Sequence, residues 1–163
     1  MNITVVTLPE TAVVRLRCTG PYGGNNRNMM ERLKSWARER GLLENGVILG
    51  VAWDDPVCIP PEQCRYDVCL ATKGCLPEPE ADIAPGRIPG GRYACFLGAH
   101  TPSGVQALWE TSFAALAEHG LSPAPGRPVL ERYRPELLDR GALRALHPYL
   151  SPLMSPLPPG QPA

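Results

Sequence analysis

The chain has 163 residues, about the length of one average domain. Sixteen Lys+Arg balance sixteen Asp+Glu, so no basic field is available to gather nucleic-acid phosphates. No run approaches the roughly 18 consecutive apolar residues of a membrane-spanning helix, and Glu10, Arg15 and Arg17 interrupt the first apolar stretch as no secretory signal allows. A cytoplasmic domain is expected.

Taken in chain order, residues 12–18 alternate as a strand, with Val14, Leu16 and Cys18 on one side. The GPYGG stretch from Gly20 to Gly24 ends it with turn chemistry. A helix is predicted over residues 28–40. Met29, Met30, Leu33, Trp36 and Ala37 fall on one stripe, and Gly41 stands where a left-handed C-terminal residue belongs. Residues 46–53 (GVILGVAW) read as a buried strand, and residues 65–72 (RYDVCLAT) as another. Residues 74–90, rich in Pro, Gly and acids, read as a connector.

The order then repeats: strand 91–99, helix 104–119 closed by Gly120, and strand 128–133. An offset of 79 residues lays Gly41 on Gly120 and Gly50 to Trp53 on Val129 to Arg132. One β-α-β-β unit cannot cover both faces of its own small sheet. Two can share a sheet, with both helices on one face and a cleft on the other. The fold class is therefore α+β, with halves of about 1–75 and 88–154 in a domain spanning 1–154. Residues 155–163 (SPLPPGQPA) are expected to be a disordered Pro-rich tail.

Six cysteines (Cys18, Cys58, Cys64, Cys69, Cys75, Cys95) contain no CxxC pair, and His100, His119 and His147 have no second ligand at helical or hairpin spacing. Free thiols are expected, with no metal and no cofactor.

In strand 128–133, Val129, Glu131 and Tyr133 share one face. A carboxylate there is costly to bury without a partner. Glu131 is then either half of a surface ion pair or the anionic group of an aromatic-lined cleft. Tyr22, Trp53, Phe96 and Tyr133 sit in turns or strands rather than on helix stripes, and would form flat walls if they converge. Trp36, Trp109 and Phe113 lie on helix stripes and read as core. No GxSxG, HExxH or phosphate-cradling glycine loop occurs. The residues alone thus support a small-molecule pocket and no particular reaction.

Taken together, GPY at Gly20 to Tyr22, GVAWDDP at Gly50 to Pro56, CRYDVCLA at Cys64 to Ala71, IPGGRYACF at Ile88 to Phe96 and PVLERY at Pro128 to Tyr133 resemble the GyrI-like small-molecule-binding family. This is the effector-binding domain also attached to AraC-type and MerR-type regulators, and it includes DNA gyrase inhibitor-like proteins. The resemblance implies a pseudo-two-fold pair of β-α-β-β halves. It also implies a glutamate, here Glu131, that meets cationic drugs, with Tyr22, Trp53, Tyr133, Phe96 and Trp109 as aromatic pocket positions. The stretch 143–154, matching the family's final strand, contains Pro148 and Pro152 and is expected to be short, bulged or at an edge.

Three functions are compatible with the resemblance. The first is a stand-alone binder of hydrophobic, cationic small molecules, with no direct nucleic-acid or membrane contact. The second is a protein that acts on a topoisomerase or a regulator protein. The third is a hydrolase of cyclopropane-bearing genotoxins, in which Glu131 would be catalytic.

Overall fold

The computed structural model describes residues 2–23, 25–99, 101–133 and 142–150, with backbone alone at 102, 133 and 142–150. In chain order the elements are β1 (Thr4–Leu8), β2 (Thr11–Thr19), α1 (Asn26–Glu39), β3 (Gly46–Ala52), β4 (Arg65–Thr72) and β5 (Ala84–Ile88). There follow β6 (Gly91–Ala99), α2 (Pro102–Glu118), β7 (Ser122–Pro123), β8 (Val129–Tyr133) and β9 (Ala142–Leu150). The sheet runs β1-β6-β9-β8-β3-β4-β2-β5, with β7 paired to β9. This is the expected α+β class.

The first half builds the order β3-β4-β2 around α1, and the second builds β8-β9-β6 around α2. Both helices end the same way. Gly41 at φ +67° and Gly120 at φ +68° take the left-handed conformation that glycine tolerates best. Leu42 then donates back to Ala37, and Leu121 donates back to Leu116, both at 2.9 Å. The sequence offset of 79 therefore survives in the cap hydrogen bonds.

The two ends of the sheet are stitched together. β1 runs into β2, and β5 runs into β6, so each end strand continues into a strand at the far end of the order. The pairs Thr4↔Cys95, Leu8↔Gly91, Thr11↔Ile88 and Arg15↔Ala84 keep one register along both joints. The sheet therefore curls nearly into a barrel. Val13, Leu49, Val51, Cys69, Ile88, Tyr93, Cys95 and Leu130, drawn from both ends of the order, form one core cluster inside it. The alternate residues face the helices. Val14, Leu16, Ile48, Val68 and Leu70 meet Met30, Leu33 and Trp36 of α1. Ala94 and Phe96 meet Leu108, Ala115 and Leu116 of α2. Each fully buried Leu contributes about 1.5–3 kcal/mol to holding these layers together.

Three expectations are corrected. Among the described residues, the face opposite the helices is filled with apolar side chains by closure of the sheet, and the cleft lies on the helix side instead. Residues 84–88 form a strand, not a connector, because pairing with β2 outweighs Pro85 and Gly86. β9 is nine residues long and lies between β6 and β8 rather than at an edge. Its Pro148 tolerates this place because the β8 ladder stops at Leu130↔Leu146, two residues earlier. The expected tail over 155–163 lies outside the described residues. Cys18, Cys58, Cys64, Cys69 and Cys75 are free thiols.

Candidate functional site

Strand pairing decides where Glu131 points. β8 lies against β3 with Gly50 opposite Glu131, and β3 lies against β4 with Ala52 opposite Tyr66. Period-two alternation then turns Glu131 and Tyr66 to the helix face. The carboxylate is 6% exposed. The Tyr66 hydroxyl donates to its Oε2 at 2.7 Å, and the Trp109 indole N–H, reaching in from α2, donates to its Oε1 at 2.6 Å. Each oxygen thus accepts a hydrogen bond from a neutral group.

Gly50 makes this arrangement possible. A Cβ built there would lie 2.0 Å from the Tyr66 hydroxyl and 2.9 Å from Glu131 Oε2. Any side chain at this position would push the two partners apart.

Above the carboxylate, a cleft of about 900 Å³ opens between α1 and α2. Tyr22, Met30, Tyr66, Val105 and Trp109 supply its apolar walls. Tyr22 packs edge-on against Tyr66, with ring centroids 5.9 Å apart. The Tyr22 hydroxyl turns away from the cleft, donating to the Asp54 carbonyl at 2.7 Å and accepting from the Asp54 amide at 3.0 Å. Burial pushes this phenol up to about 12, so it stays protonated across the neutral range.

Of the aromatic residues singled out in the sequence, the structure brings Tyr22 and Trp109 to Glu131 in this cleft. Trp53 lies elsewhere, packed against the core inside the curled sheet. Its indole N–H donates to Asp67 at 2.7 Å, and Asp67 is also held by Arg17 at 2.8 and 2.9 Å. Asp67 is 1% exposed, so these donors balance a buried charge. Phe96 is fully buried beneath α2. The side chain of Tyr133 lies outside the described residues. Phe113, expected in the core, is 40% exposed and rests beside Trp109.

Sequence reasoning missed Tyr66 and Met30 as cleft residues and Gly50 as the residue that leaves room for the Tyr66–Glu131 contact. Tyr66 shares the helix-facing alternation of Val68 and Leu70, and that signal was available. The role of Gly50 depends on two strand registers at once, which no local pattern reveals.

A curled antiparallel sheet whose two helices flank an apolar cleft with a few convergent polar groups defines a small-molecule-binding domain. The chain belongs to the GyrI-like family, because the family's model, a GyrI-like small molecule binding domain, matches residues 1–138. It is 38% identical over 152 residues to the SPbeta prophage-derived protein YosT of Bacillus subtilis (strain 168), which carries a transcriptional-regulator name; the match covers 91% of this chain and 99% of YosT. It is 30% identical over 127 residues to a DNA gyrase inhibitor of Pectobacterium carotovorum subsp. carotovorum (strain PC1), covering 76% of this chain and 81% of that one. Among solved structures, the EcmrR C-terminal domain matches with a TM-score of 0.73 at 12% identity, over 92% of this chain and 98% of that one. SAV2435 bound to tetraphenylphosphonium matches with a TM-score of 0.68 at 14% identity, over 92% and 94%. At such identities these two share the fold. Among the described residues, no helix is long and apolar enough to cross a membrane.

Proposed function

We propose that this chain binds hydrophobic organic cations in the cleft between α1 and α2, with Glu131 as their counter-charge. One observation carries the reading: a carboxylate 6% exposed, at the base of an aromatic cleft, fixed by the neutral donors Tyr66 and Trp109. Such a charge is expensive to desolvate. A bound cation recovers part of that cost through charge attraction, and Tyr22, Tyr66 and Trp109 offer ring faces that attract cations further. The tetraphenylphosphonium in the SAV2435 structure supports the same ligand chemistry on this fold.

The test compares tetraphenylphosphonium with neutral triphenylphosphine oxide, on the parent and on Glu131→Gln. The glutamine fits without rearrangement. Its oxygen accepts from Trp109, while the Tyr66 hydroxyl turns to accept from its amide. Loss of the charge should weaken the phosphonium by about 1–3 kcal/mol, the range for hydrogen bonds and contacts to charged groups. The neutral oxide should change far less. Equal affinities of both probes for both proteins would overturn the reading.

A further inference from the structure

The cleft does not carry one sign of charge throughout. Glu131 is at its base and 6% exposed, whereas Arg27, Glu31 and Lys34 line its α1 wall. Arg27, Met30, Glu31 and Lys34 fall at i, i+3, i+4 and i+7, so one helix stripe carries them all. Buried Met30 separates the two cations with an apolar step. Lys34, 22% exposed, pairs with Glu31 at 3.6 Å. Among the described residues Arg27 makes no ion pair and is exposed, so the α1 rim carries one net positive charge. The facing α2 wall contributes Thr101, Val105, Gln106 and Trp109, none of them charged.

A rim of this sign opposes a simple cation at the mouth while the base attracts it. The two preferences are met together by a molecule that carries its cation deep and an anion outward, on the α1 side. We propose that the cleft selects zwitterionic or anion-bearing amphipathic cations, with the cation against Glu131 and the anionic arm against Arg27 and Lys34. This rests on the cation-binding reading above and adds the second charge of the ligand.

The experiment uses (4-carboxybutyl)triphenylphosphonium and its methyl ester, which share one cation and differ in the carboxylate. The parent should prefer the carboxylate about two- to fivefold, the size expected for exposed ion pairs. High salt should shrink that preference. Arg27→Gln combined with Lys34→Gln keeps good helix formers at both sites; with Glu31 left on that wall, it should abolish or reverse the preference and tighten binding of the ester. Glu131→Gln should weaken both probes alike, leaving their ratio intact. If both probes bind the parent equally through Glu131, or if the preference survives the double substitution, the zwitterion proposal is overturned while cation binding stands. If neither probe responds to Glu131→Gln, the cation reading itself fails, and this one with it.

Discussion

The Glu131 carboxylate keeps its place because three other residues agree about it: Tyr66 and Trp109 donate to it, and Gly50 leaves room for the Tyr66 hydroxyl. Gly50→Ala should therefore destabilise the fold by about 1–3 kcal/mol through overpacking. Tyr66→Phe should cost a similar amount, by removing a buried donor from a charged group. Because the alanine methyl collides chiefly with the hydroxyl that the phenylalanine lacks, the double variant should lose less stability than the two single losses together. Urea unfolding of the four proteins checks this, and simple additivity would mean that Gly50 does not serve the Tyr66–Glu131 contact. Residue by residue, the sequence left Glu131 open between a surface ion pair and an aromatic cleft, and only the strand registers bury it beside Tyr66 and Trp109. Trp53 was not legible as a core residue. What occupies its indole is Asp67, and that contact exists only once β3 and β4 are in register.

At the scale of elements, the helices and the central strands follow from periodicity. The stripe of α1 buries Met30, Leu33, Trp36 and Ala37 as its spacing requires. β4 spans the eight residues its pattern marks. Strands β5 and β9 were misjudged for one reason: Pro and Gly signals are local, and pairing with long neighbours overrode them. The turn between β2 and α1 forms one wall of the site through Tyr22, whose hydroxyl is held by the Asp54 backbone in the loop between β3 and β4. Arg65 donates to Asp54 through its backbone N–H at 2.8 Å and its guanidinium at 2.9 Å. That guanidinium holds the Asp54 carboxyl below its ordinary value of 3.8. A carboxyl depressed in the folded state adds stability that is present above the ordinary value and disappears as pH falls through the folded one. The stability difference between the parent and Asp54→Asn should be about 1 kcal/mol or less at neutral pH, as for a pair whose arginine is about half exposed. It should shrink as the pH is lowered below about 4. A difference unchanged between neutral pH and pH 2 would show that Arg65 does not favour the charged form.

For the whole molecule, the decisive feature is the long β1–β2 to β5–β6 pairing, which curls the sheet and gives its two faces different tasks. The inner face becomes closed core, with buried Asp67 held by half-buried Trp53 and by Arg17 at the surface. The outer face carries both helices, and the gap between them becomes the cleft. The repeat of pattern predicted two related halves but not the curl. A sheet left open would have placed its cleft opposite the helices, so the side on which the site lies could be settled only by the register that joins the strand ends.

The most direct test of this arrangement is a crystal structure of the protein soaked with tetraphenylarsonium, a lipophilic cation whose arsenic atom marks its centre by anomalous scattering. The account predicts one strong arsenic peak between α1 and α2, above the Glu131 carboxylate and among Tyr22, Tyr66 and Trp109, and loss of that peak in Glu131→Gln crystals under the same soak. An arsenic peak beside Trp53 and Asp67, or one in the cleft with undiminished occupancy after Glu131→Gln, would contradict it.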